Sequence, residues 1–298
     1  MSGNNHSIIA MNHTPVLVKE VIEILSPKKG KIYIDATLGD GGYTKAIIEE
    51  CPEVKIIAID QNEKSLERAK ANLKNESKQI SFIHDNFKNI KDIASQQGYQ
   101  KIDGVVYDLG LASWQIDEGE AGISFQKETP LDMRLDDSSD NMTTASEVLT
   151  KFPIKRIAEI LYKYGDVKGS WGIARRIDMF RNNTPILYTS DLLTILGTKE
   201  PKKLAPIFQA LRIYVNQEFD NLERSLKDAI DLMESDGKII VISYHSGEDR
   251  IVKNIMRDRK HIKDDIKIIV KKPISPSIME TTTNPRSRSA RLRAIEKL

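Results

Sequence analysis

The stretch Lys31 to Ile47, K-I-Y-I-D-A-T-L-G-D-G-G-Y-T-K-A-I, decides the fold of this 298-residue chain. Ile32 and Ile34 alternate with Tyr33 and give way to Asp35, which predicts a short buried strand ending in a carboxylate. Gly39, Gly41 and Gly42 follow, and Ala46-Ile47-Ile48 begins a helical pattern. Glycines permit positive φ and the close approach of a ligand, and a helix start beyond them offers free N–H groups. The order strand, glycine turn, helix is a cofactor-binding layout.

A dinucleotide site prefers G-x-G-x-x-G, but Thr44 occupies the third glycine position here. An acid four residues before the first glycine suits S-adenosylmethionine (SAM) better. Its ammonium and sulfonium are attracted by a carboxylate that would repel a pyrophosphate. NAD remains the alternative at this point.

Working outward, Thr14 to Leu25 reads as a helix, with Thr14 as its N-cap and Pro15 in the first turn. Downstream, Lys55–Asp60, Ile80–His84 and Ile102–Asp108 read as further buried strands, separated by helices at 63–73 and 90–97. This alternation predicts an α/β fold with a doubly wound, mostly parallel sheet. In such sheets ligands sit beyond the carboxyl ends of the strands, where Asp35, Asp60, Phe87 and Asp108 fall. Phe87 serves equally as an adenine contact or as core packing.

After Asp108 the alternation stops. Residues 109–142 read as an acidic loop with Asp132, Asp136, Asp137 and Asp140, and helices follow at 144–150, 154–164, 169–181, 189–196 and 204–211. Then come a helix over 216–233, a strand over Lys238–Tyr244, a helix over 251–259 and a last strand over Ile266–Val270. Ser246 with Asp249 reads as a capping box. These boundaries give a core over 11–130 and 212–298, an inserted helical domain over 131–211, and a flexible stretch over 1–10.

Composition narrows the classes. No run of eighteen apolar residues exists, so no membrane span is expected. The single cysteine, Cys51, and the lack of a secretory pattern point to a reducing, cytoplasmic setting. Five scattered histidines show no metal-ligand spacing, so no metal is expected. Net charge is +2, but residues 250–298 carry 14 Lys and Arg against 5 Asp and Glu, the balance expected of a surface facing a polyanion.

Several stretches together resemble one family, the bacterial ribosomal RNA small-subunit methyltransferases H, also called MraW. They are H-T-P-V-L at 13–17, D-A-T-L-G-D-G-G at 35–42, D-L-G at 108–110 with Gln115, and P-L-D-M-R-L at 130–135. F-Q-A-L-R-I-Y-V-N at 208–216, V-I-S-Y-H-S-G-E-D-R-I-V-K at 241–253 and N-P-R-S-R-S-A-R-L-R at 284–293 complete the set. The resemblance implies a class I SAM-dependent methyltransferase core with an inserted helical domain that helps hold RNA. The implied reaction is N4-methylation of a cytidine in the decoding region of 16S-type ribosomal RNA. Carried over by position, the SAM contacts are Gly41, Gly42, Tyr43, Asp60, Phe87, Asp108 and Gln115. Asp108 and Asp132 are the catalytic candidates, with pairing to Arg134 as the alternative for Asp132. Arg286, Arg288, Arg291 and Arg293 are the expected RNA contacts, with help from Arg175, Arg176 and Arg212. The partner implied is the small ribosomal subunit, and a homodimer is left open. Tyr43, Ala112, Ala121, Pro206 and Gly247 depart from the family pattern. They leave a SAM-binding assembly factor as the alternative. A Rossmann oxidoreductase and a DNA amino-methyltransferase are further rivals; a DNA enzyme normally carries a Pro-Pro motif that is absent here.

Overall fold

A computed structural model describes residues 15–112, 114–115, 120–136 and 143–298. The expectations for residues 1–10, Thr14, Asp137 and Asp140 lie outside these. The described residues form two compact units. One runs up to Gly110 and resumes at Leu222–Leu298; the other is Leu111–Asn221.

The first unit is built on a seven-stranded sheet: β1 (Ile32–Asp35), β2 (Lys55–Asp60), β3 (Ile80–His84), β4 (Ile102–Asp108), β5 (Met233–Ser243), β6 (Ile266–Ile268) and β7 (Arg291–Lys297). Their order is β3-β2-β1-β4-β5-β7-β6. The first five pair in parallel, and β7 runs antiparallel between β5 and β6. The parallel strands, buried on both faces, consist of near-continuous apolar runs. Period-two alternation sends Tyr33, Ile56, Ala58, Val106 and Ile240 to one face, and Ile34, Ile57, Ile59, Val105 and Ile239 to the other. Helices α1 (Val18–Leu25), α2 (Gly42–Glu50) and α3 (Glu63–Asn72) cover the first face. Helices α4 (Ile90–Gln96), α10 (Glu218–Leu232) and α11 (Ser246–Ile262) cover the second.

Strand order reverses between β1 and β4, which is where a doubly wound sheet opens a crevice at its carboxyl edge. This sheet, with its parallel strands and antiparallel β7, is the class I SAM-dependent methyltransferase fold.

The second unit is helical: α5 (Ala145–Lys151), α6 (Ile154–Gly165), α7 (Ser170–Arg181), α8 (Thr189–Leu196) and α9 (Pro201–Val215). Thr144 caps α5 in a reciprocal box with Glu147. α9 continues through Pro206, although proline removes one helical hydrogen bond. Gly165 makes that packing feasible, because a Cβ there would lie 2.3 Å from the Pro206 carbonyl oxygen.

Four local expectations are corrected. α1 starts at Val18, not at Thr14, after Leu17 in a left-handed conformation. The cap of α11 is His245 with Glu248, not Ser246 with Asp249, so this helix begins five residues before the expected 251. α9 spans Pro201–Val215 rather than 204–211. The basic tail contains strand β7, whose Leu292 and Ala294 are buried. A run of arginines masked its period-two pattern.

Candidate functional site

Three carboxylates stand at the ends of β1, β2 and β4. Register explains their grouping: Asp35 is level with Val106 on β4 and Ala58 on β2, and each acid lies at its strand's last position. Asp35 is fully buried; its Oδ2 accepts from the Thr44 hydroxyl at 2.7 Å. Asp60 is half-buried and tied to the glycine turn, Gly39 N–H donating to Oδ2 at 2.8 Å and Asn62 N–H to Oδ1 at 2.9 Å. Asp108 is half-buried; Oδ1 accepts from the Tyr244 hydroxyl at 2.7 Å, and its backbone N–H donates to the Thr37 hydroxyl at 2.7 Å.

Desolvation pushes these acids up. Asp35 and Asp60 are raised to about 6, and Asp108 to about 7, in each case chiefly by burial. The hydrogen bond from Tyr244 partly offsets this at Asp108, while Asp35 and Glu248 add repulsion. Among the described residues no Lys or Arg forms an ion pair with any of the three. Asp40, in the same turn, is different. Arg68 forks onto it at 2.7 and 3.3 Å, which takes it out of the cluster.

The glycines fit the same picture. Gly41 has φ +87°, and a Cβ there would approach Leu73 Cδ1 to 2.6 Å; one at Gly42 would approach Pro15 Cγ to 2.3 Å. Gly110, two residues after Asp108, has φ +125° and would bring a Cβ to 3.3 Å from the Tyr244 ring. The D-L-G turn and Tyr244 are thus packed as one piece. Glu248 fixes Tyr244 from behind, its Oε2 accepting from the Tyr244 backbone N–H at 2.8 Å.

The remaining expected residues distribute as follows. Tyr43 is buried, and its hydroxyl donates to the Val16 carbonyl at 2.6 Å; burial drives its pKa well up. Its ring is therefore core, with the hydroxyl near Asp108. Phe87 is half-buried and packs edge-on against Tyr107 at 5.9 Å. Gln115 lies in the helical unit, its Oε1 accepting from Ala112 N–H at 2.9 Å. Asp132 also lies there and is gripped by Arg134, with Nε–Oδ1 at 2.7 Å and Nη2–Oδ2 at 2.8 Å. Its turn is held by Asn216, whose side chain accepts from Leu135 N–H and donates to the Met133 carbonyl. Arg212 forks onto Glu218 at 2.8 and 3.0 Å, and Arg176 donates to the Leu196 carbonyl.

Arg286, Arg288 and Arg291 are exposed. Arg293 is corrected: it is 9% exposed and forks onto buried Asp249 at 2.6 and 3.1 Å, so its charge serves the core rather than the surface. Sequence reading also missed Tyr244. The signal was present, since it follows the apolar run of β5 just as the acids follow β1, β2 and β4.

The uncompensated acids fit a cationic cofactor, and the close-packed glycines leave a turn bare of side chains. Fold and site together define a class I SAM-dependent methyltransferase. The model of the MraW methylase family matches residues 10–298, and the chain belongs to that family. It is similar to a ribosomal RNA small subunit methyltransferase H from Finegoldia magna, 38% identical over 309 residues, covering 96% of this chain and 98% of that one. One of the same name from Ehrlichia canis is 42% identical over 299 residues, covering 96% and 100%. Among solved structures, an rRNA methylase from Streptococcus thermophilus aligns with TM-score 0.45 and 12% identity, covering 97% of this chain and 99% of that one.

Proposed function

We propose that this methyltransferase places a methyl group on N4 of a cytidine in the decoding region of small-subunit, 16S-type ribosomal RNA. The observation that carries the chemistry is Asp108: half-buried, raised to about 7, held by Tyr244 and paired with no cationic side chain among the described residues. The names of the relatives support the RNA substrate.

SAM, when bound, supplies an electrophilic methyl group on sulfur. The chain's residues do the rest. Asp60, anchored by Gly39 and Asn62, keeps lone pairs for ribose hydroxyls. Asp35 and Asp108 provide the negative field that a cation needs in a low-dielectric pocket. Cytosine N4 is a weak nucleophile because its lone pair is delocalised into the ring. An acceptor aimed at its N–H favours pyramidalisation and takes the proton that leaves as the new N–C bond forms. A carboxylate raised to about 7 is well matched to that task near neutral pH. Alignment supplies much of the remaining rate. Asp132 is the second acceptor candidate, and recruiting it requires loosening its pair with Arg134. Gln115 and the bare backbone of Gly41 and Gly42 complete the proposed SAM contacts, with Tyr43 and Phe87 acting through packing.

On the RNA side, Arg286, Arg288 and Arg291 are assigned to phosphates, and the helical unit is assigned to RNA recognition. A base inside folded ribosomal RNA must be splayed out to reach a strand-end pocket. The test compares methyl transfer to assembled small subunits and to protein-free RNA. Preferential transfer to subunits supports the reading; efficient transfer to free RNA alone contradicts the subunit as substrate.

A further inference from the structure

Helix α7 buries Ser170, Ala174 and Ile177 along one side. On the opposite side Trp171, Arg175 and Met179 follow at four-residue spacing and form a continuous stripe. Trp171 is 53% exposed and Met179 is 70% exposed. Two large apolar side chains left in water on one helix face, two turns apart with Arg175 between them, mark that face as a contact site.

The surroundings say what covers it. Residues 151–181 carry eight Lys and Arg against three Asp and Glu, a balance of +5. Three of the cations are paired, Arg156 with Glu159 at 3.5 Å, Arg181 with Asp178 at 2.6 Å and Lys151 with Glu147 just outside the window, which leaves Lys155, Lys163, Lys168, Arg175 and Arg176 against Asp166. Arg175 and Lys168 are exposed and form no ion pair with the described residues. Gly172, in the first turn of α7, leaves the helix backbone beside Trp171 open: a Cβ there would meet nothing within 4 Å.

We propose that the Trp171–Arg175–Met179 face of α7 is a stacking platform for unpaired nucleotides of the RNA substrate. The proposal rests on the RNA reading above and adds a binding site separate from the C-terminal arginines. An indole face accepts any base, Met179 extends the apolar floor, and Arg175 and Lys168 reach the phosphates on either side. Aromatic surface interleaved with cations is what single-stranded nucleic acid recognition requires. A protein partner for this face would not need the excess positive charge.

The test uses the full chain with small ribosomal subunits that lack the methyl group. Equilibrium affinity for subunits at several salt concentrations, steady-state kcat and KM, SAM affinity and thermal midpoint are measured for wild type, Trp171→Ala, Trp171→Phe and Arg175→Ala. Trp171→Ala is expected to weaken subunit binding about tenfold to a hundredfold. Trp171→Phe recovers most of that loss, and kcat at saturation, SAM affinity and midpoint stay at wild-type values. Arg175→Ala lowers the salt slope by roughly 0.7 to 0.9. If wild type binds and methylates subunits while Trp171→Ala and Arg175→Ala match it at every salt, this platform is wrong and the substrate reading stands. If Trp171→Ala instead turns a dimer into a monomer with subunit affinity unchanged, the face is a self-contact and the proposal is overturned. If wild type neither binds nor methylates subunits, the substrate reading fails and takes the platform with it.

Discussion

The Tyr244 hydroxyl donates to Asp108 Oδ1 at 2.7 Å, joining the end of β5 to the end of β4 across the strand register that sets Asp108 beside Ile242. This bond favours the charged carboxylate against the desolvation that burial imposes. Tyr244→Phe keeps the ring that packs on Gly110 and removes only the donor. The Asp108 pKa then rises further, and SAM affinity near pH 7 falls about tenfold, the value of a hydrogen bond to a charged group (about 1.5 kcal/mol). Calorimetry at pH 7 and at pH 8.5 checks this, with the deficit shrinking at the higher pH. An equal affinity at both would show that Tyr244 does not tune Asp108.

SAM binding should itself depend on pH. A cation binds the ionised forms of Asp35, Asp60 and Asp108, which are raised to about 6, 6 and 7. Affinity therefore rises from pH 5.5 to about 7.5 and levels off above, with protons released on binding in the lower half of that window. The free protein shows the opposite trend. Acids whose folded pKa lies above the unfolded value of about 4 favour folding when protonated, so their contribution is lost as pH rises from about 4 to 7. Asp265 does not cancel this. Arg259 and Lys297 hold its pKa low, so its contribution is lost only in stronger acid. Thermal midpoints across pH 5–8, with and without SAM, should converge at low pH and separate at high pH.

The two kinds of C-terminal arginine should behave differently. Arg293→Met removes the bidentate partner of Asp249, leaving it Arg291 at 3.5 Å, and is expected to cost about 1.5–3 kcal/mol of stability, the range for hydrogen bonds to a charged group. Arg288→Ser should leave the midpoint nearly unchanged and lower the salt dependence of subunit binding. Denaturant unfolding and binding titrations, run on the same variants, separate these effects. A stable Arg293→Met protein with weakened RNA binding would reverse the assignment.

Gly42→Ala should loosen the segment leading into α1, because the new methyl group meets the Pro15 ring. Gly41→Ala adds backbone strain of about 1–3 kcal/mol through its positive φ. Both should lower stability even in the absence of SAM. A loss confined to SAM affinity would mean the glycines serve the cofactor alone.

Much of this was legible in the sequence where one physical signal dominated. β1, β2 and β4 announced themselves through apolar runs ending in acids, β3 through its apolar alternation, and the helices of the insert through 3.6-residue spacing. Reading failed where two signals overlapped. In R-L-R-A-I-E-K the charges of Arg291 and Arg293 hid a central strand, because a buried arginine is legible only with its partner, Asp249, 44 residues away. Tyr244 was missed for a related reason: a tyrosine gains its role from the acid that it faces, and that pairing spans 136 residues. The start of α1 was misplaced because Thr14-Pro15 carries helix-start chemistry, whereas the helix begins three residues after Pro15, past a left-handed Leu17.

The central claim is tested most directly by methyl transfer from labelled SAM to small ribosomal subunits lacking N4-methylcytidine, followed by nucleoside analysis of wild type, Asp108→Asn and Asp132→Asn. The account predicts label in N4-methylcytidine at a single decoding-region site for wild type and a large loss of turnover for Asp108→Asn. Label in another nucleoside, no label despite tight SAM binding, or full turnover by both variants with unchanged SAM affinity would contradict it.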